Sequence, residues 1–104
     1  MHLKLSFGNR EIKIERESFE NGQIIVVYEG KRQLGTIAFG IPSPTSQDVI
    51  ITQIYGSVNE LTARALVEYL AQKHKLITIL SIFLSSKDDD PVILRALLDK
   101  FRKM

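Results

Sequence analysis

At 104 residues the chain has room for one domain with a single core, expected to span residues 1–104. Hydrophobic content of 44% with 25% charged residues excludes a disordered chain, and thirteen isoleucines without a tryptophan favour β structure. No cysteine is present, which excludes disulfides, thiolate nucleophiles and thiolate metal centres and fits a cytoplasmic protein; the net charge of +2 comes from 14 basic residues interspersed with 12 acidic ones.

The start of the chain alternates, with Leu3, Leu5 and Phe7 against His2, Lys4 and Ser6, so a strand is expected there and not a leader peptide. Gly8-Asn9 tolerates the positive φ of a tight hairpin, and Ile12 and Ile14 then alternate with charges. Asn21-Gly22 predicts a second hairpin into residues 23–28, and Gly30-Lys31 a third into residues 32–41. The prolines of residues 42–47 remove ladder donors and predict a loop before a fifth strand at 48–55.

Beyond Gly56, Ser57 and Glu60 form a capping-box pattern that opens a helix to about Lys75. Val58, Leu61, Ala65, Leu66, Tyr69 and Leu70 form its expected buried face, and Glu60, Arg64 and Glu68 its charged one. A sixth strand follows in residues 76–84, LITILSIFL, too short to span a membrane. Asp88-Asp89-Asp90 then supplies an N-cap carboxylate before Pro91, and Ile93, Leu94, Leu97, Leu98 and Phe101 predict a closing amphipathic helix. The fold class is α+β: a mainly antiparallel six-stranded sheet in the order β-β-β-β-β-α-β-α, with two helices on one face.

Residues 23–28, 48–55 and 76–84 are apolar on both faces, more than two helices can cover. Two-residue turns place Leu3, Leu5, Phe7, Ile12, Ile14, Ile25, Val27 and Leu34 together on a broad apolar face. Phe19, Ile24, Val26, Tyr28, Ile37 and Phe39 share the other face with Lys4, Glu11, Lys13 and Glu15. On width alone the helices are expected over this narrower apolar face, leaving the broad one to a second sheet in a dimer, with itself or a related chain. On that reading Val27→Asp breaks the dimer. The alternative places one helix on each face, or curls the sheet on itself.

No catalytic constellation emerges, so no enzyme activity, metal or cofactor is expected. His2 and His74 have no partner at ligand spacing and are expected to be solvated, and residues 88–90 lack the alternating ligands and turn glycine of a calcium loop. Residues 85–87 lack the glycines of a phosphate loop. Phe7, Phe39, Tyr69, Phe83 and Phe101 fall on apolar stripes and are expected in the core. Lys31, Arg32, Lys100, Arg102 and Lys103 could serve a small basic nucleic-acid-binding dimer, whereas the last three also complement a helix dipole.

Several segments together resemble one family, the small proteasome-assembly chaperones of the third and fourth type. They are Leu34-Gly35-Thr36-Ile37, the Pro/Ser loop 42–46, Val49-Ile50-Ile51-Thr52-Gln53-Ile54 before Gly56, Ala63-Arg64-Ala65-Leu66-Val67 and the strand 77–84. The resemblance implies a dimer without cofactor that binds proteasome α-subunits during core-particle assembly and leaves before the particle matures. The chain ends Phe101-Arg102-Lys103-Met104, without the hydrophobic-Tyr-X ending by which another class of assembly chaperones docks. Docking is therefore expected through a surface, with Pro42, Ser43, Pro44 and Thr45 of the loop and Glu60, Arg64 and Glu68 of the helix as candidates. No membrane partner is expected.

Overall fold

A computed structural model describes residues 1–104, apart from the side chain of Ile54. The strands are β1 (His2–Phe7), β2 (Arg10–Ser18), β3 (Gly22–Glu29), β4 (Thr36–Pro42), β5 (Val49–Tyr55) and β6 (Ile77–Phe83). The helices are α1 (Glu60–His74), between β5 and β6, and α2 (Pro91–Arg102). The six strands form one sheet in the order β1-β2-β3-β6-β4-β5, antiparallel except for the β3–β6 pair.

The first two hairpins follow from their turns. Gly8 adopts φ 62°, and Phe7 pairs with Arg10 across a two-residue loop. At the second turn Ser18 pairs with Gln23, so the loop is two residues longer than expected. A shift of two preserves side-chain parity, and Leu3, Ile14 and Val27 still share a face.

The third expected hairpin does not form. Residues 30–35 cross the end of β6, which inserts between β3 and β4. Gly35 is required at this crossing, because a Cβ there would collide with the Ile82 carbonyl, while its N–H donates to Ser81 Oγ at 2.9 Å. The central position suits β6, whose side chains are apolar on both sides and whose backbone needs a neighbour on each edge. It runs parallel to β5 with β4 between, a crossover that α1 completes by packing over β4.

Both helices lie on one face, and it is the broad one. Ile12, Ile14, Ile25, Val27, Leu80 and Ile82 form one core with Leu66, Val67 and Leu70 of α1 and Ile93, Leu97 and Phe101 of α2, while Leu3, Leu5 and Phe7 pack against its edge. Charge, not width, sets the helix face: a helix over the opposite, narrower apolar face would bury Lys4, Glu11, Lys13 and Glu15 of β1 and β2. The seven strand residues assigned to a dimer interface therefore lie beneath the chain's own helices. Leu34 is not with them; it is 65% exposed in the 30–35 crossing.

The helix ends differ in how they are capped. Asp90 accepts from Val92 N at 2.9 Å with Pro91 at the first position of α2, as expected. Ser57 does not cap α1; Asp89 does so from across the fold, accepting from the N–H of Leu61 at 3.3 Å and Thr62 at 2.9 Å and from Thr62 Oγ1 at 2.7 Å. Asn59 Nδ2 donates to the carbonyls of Ser86 and Asp88, tying the same two segments together. The buried stripe of α1 is Thr62, Ala63, Leu66, Val67, Leu70 and Ala71, so Leu61 and Val58, expected inside, are exposed.

Candidate protein-binding faces

With the helices on the broad face, the opposite face is bare of any element of the chain. Strand parity and pairing place on it Ile24, Val26 and Tyr28 from β3, Ile77, Ile79, Ser81 and Phe83 from β6, Ile37, Phe39 and Ile41 from β4, and Ile50 and Thr52 from β5. Phe19, Ile24, Ile41 and Ile50 are exposed there, Ile50 to 68%, and Val26, Ile37, Phe39, Ile77, Ile79 and Phe83 are half-buried. Four strands of about seven residues give roughly 19 by 24 Å of mostly apolar surface. That rivals the largest patches single chains carry, which mark interaction sites.

The β1–β2 end of this face is polar and held in place. Arg32, from the crossing loop, makes two hydrogen bonds to the Glu15 carboxylate at 2.8 Å each, and Tyr28 Oη donates to Glu15 Oε2 at 2.7 Å. These bonds from Arg32 and Tyr28 hold the Glu15 carboxyl down at about 2. An apolar centre bounded by a satisfied polar margin is the composition of a protein interface.

At the end of the sheet where β5 and β6 finish, a cleft of about 390 Å³ is lined by Leu34, Thr36, Tyr55, Val58, Phe83 and Lys87, among others. Beside it, Arg10 holds Glu29 through two bonds at 2.7 and 2.6 Å, and Glu29 also accepts from Ser85 N at 2.9 Å. Those contacts keep the Glu29 carboxyl at about 2. Among the described residues no three His, Asp or Glu are gathered to hold a metal.

His74 is not solvated as expected. It is half-buried, and its Nδ1 lies 3.1 Å from Gln23 Oε1, which also accepts from Arg16 Nε at 2.9 Å. Arg16 Nη2 lies 3.4 Å from the same Nδ1, and Gln23 Nε2 donates to Thr78 Oγ1 at 2.9 Å. Burial first, then the nearby Arg16 and Lys73 charges, push the His74 pKa down. The group is structural in its contacts, joining β2, β3 and α1.

The basic residues do not converge. Lys31 and Arg32 follow the C-terminal end of β3, where α2 begins, whereas Lys100, Arg102 and Lys103 sit at the opposite end of α2. The β4–β5 loop is tied to the C-terminal end of α1, where Gln72 Nε2 donates to Gln47 Oε1 at 2.6 Å and Lys75 Nζ to Ser46 O at 3.2 Å, whereas Glu60 stands at the opposite end of the helix; no described contact joins Pro42, Ser43, Pro44 and Thr45 to Glu60, Arg64 and Glu68. No described ion pair joins those three side chains, which are partly or fully exposed.

Among the solved structures that match is a chaperone complex for yeast 20S proteasome assembly, at TM-score 0.68 and 14% identity over 99% of this chain and 94% of that one. This chain has a proteasome-assembly-chaperone-like fold. No family model matches the sequence, and no curated protein matches it. No helix among the described residues is long and apolar enough to cross a membrane.

Proposed function

We propose that this chain is a non-enzymatic assembly chaperone of the cytoplasm that pairs through its helix-free sheet face, with a second copy or a related chain, and binds proteasome α-subunits during core-particle assembly. The observation that carries the reading is the apolar face across β3, β6, β4 and β5 in a fold whose other face is covered by its own two helices. Support for the client comes from the yeast proteasome-assembly complex of the same fold. A two-layer chain with one bare apolar sheet face is completed by a second sheet, helices outside.

Ile24 is exposed on the helix-free side of β3, so Ile24→Asp is expected to keep the fold and lose the pairing. The client is tested by affinity capture of the tagged chain from its native extract with mass spectrometry. Recovery of proteasome α-subunits without mature core particle is expected. Recovery of nucleic-acid machinery and no proteasome subunit would overturn the reading.

A further inference from the structure

Asn21-Gly22 does not form the tight turn its sequence suggests. The second hairpin turns at Glu20 and Asn21, inside a bond from Phe19 N to the Gly22 carbonyl at 2.7 Å, and neither residue has positive φ. Gly22 has no positive φ either. It opens β3, where a Cβ would stand 3.0 Å from the Ile77 carbonyl oxygen, so its role in the fold is close strand packing.

The same arrangement leaves a reactive pair. A strand residue turns its N–H and C=O to the same side, so Gly22 N faces Phe19 and not β6. Among the described residues no return bond runs from Gly22 N to Phe19 O, and none restrains the exposed Asn21 amide. Gly22 also brings no side chain to obstruct its nitrogen from the Asn21 carboxamide carbon. The other two asparagines lack these features. Asn9 precedes Arg10, and Asn59, 2% exposed, precedes Glu60 and has its Nδ2 bound to the Ser86 and Asp88 carbonyls. Asn21 lies at the margin of the helix-free face, where it lines a recess of about 170 Å³ with Phe19, Ile24, Ile77 and Ile79, and no cation is among the lining residues.

We propose that Asn21 is a modification site, converted by ring closure with Gly22 and water to aspartate or isoaspartate, and that the carboxylate so placed weakens pairing through the helix-free face. Hydroxide takes the Gly22 N–H proton, and the nitrogen bonds to Asn21 Cγ. The Cγ–Nδ2 bond breaks, and Nδ2 takes up a proton from water and leaves as ammonia. Water then opens the cyclic imide at Cγ, giving aspartate, or at the Asn21 main-chain carbonyl, giving isoaspartate and a further methylene in the backbone of the turn. The consequence for pairing rests on the function proposed above; the conversion itself does not.

The test incubates the folded protein in mildly alkaline heavy-oxygen water and follows residues 9, 21 and 59 by peptide mapping and mass spectrometry. Oxygen uptake at residue 21 is expected at least about tenfold faster than at 9 or 59, and within about fivefold of its rate in urea, because the folded turn does not restrain the pair. Asn21→Gln, with its longer side chain, is expected to stay unconverted and to pair as the wild type does. Asn21→Asp is expected to raise the dimer dissociation constant at least about threefold, read by light scattering at graded concentrations. Faster conversion of Asn9 or Asn59, protection of residue 21 by folding beyond that margin, or Asn21→Asp pairing as tightly as Asn21→Gln would overturn the proposal. A wild-type chain that stays monomeric overturns the consequence for pairing together with the proposed function, whereas the site stands or falls by the conversion rates alone.

Discussion

At the scale of single residues, the polar contacts make the fold sensitive to pH in two windows. His74 has its pKa depressed in the folded state, so the unfolded chain takes up a proton first as pH falls below the ordinary 6.5. Stability from its neutral contacts is complete above that value and declines below it. Urea unfolding at about pH 7 and pH 5 is expected to show the decline, and His74→Gln to flatten it. Glu15 and Glu29, both held at about 2, add a second loss as pH falls from 4.5 toward that value. None of these partnerships was legible in the sequence, since Arg16, Gln23 and His74, or Glu15 and Arg32, meet only after β2, β3 and α1 are assembled.

At the scale of elements, alternation and turn chemistry made the strands and both helices legible, including the Asp90-Pro91 start of α2. The phase of α1 was not. Its apolar residues are spread around the helix, and the choice was made by Gly40, which lets Val67 and Ala71 approach β4 closely. Its N-terminal capping was also hidden, because Asp89 comes from the segment before α2. Asp89→Ala is expected to cost about 1–2 kcal/mol by urea unfolding, whereas Ser57→Ala, with no capping bond to lose, is expected to cost under about 0.5 kcal/mol. Phe101→Ala, emptying a fully buried site under α2, is expected to cost about 3–5 kcal/mol.

At the scale of the whole molecule, the two sheet faces were separable from hairpin parity, because the loop at residues 19–22 departs from expectation by an even number. Which face the helices take does not follow from width. The charges of β1 and β2 decide it, for Leu3, Leu5, Phe7, Ile12 and Ile14 offer α2 an apolar floor where Lys4, Glu11, Lys13 and Glu15 do not. The insertion of β6 beside β3 was beyond reach of local signals, although its doubly apolar sequence is that of a central strand. These placements change what a substitution means. Val27 is fully buried in the chain's own core, so Val27→Asp is expected to unfold the protein, read as loss of the cooperative urea transition, and not to release a folded monomer.

The bare face itself is tested most directly by light scattering of the purified protein beside Ile24→Asp. The wild-type chain is expected at twice its 11.8 kDa mass and the folded variant at 11.8 kDa. A wild-type particle of 11.8 kDa at all concentrations, or an Ile24→Asp dimer as stable as the wild type, would contradict pairing through the helix-free sheet.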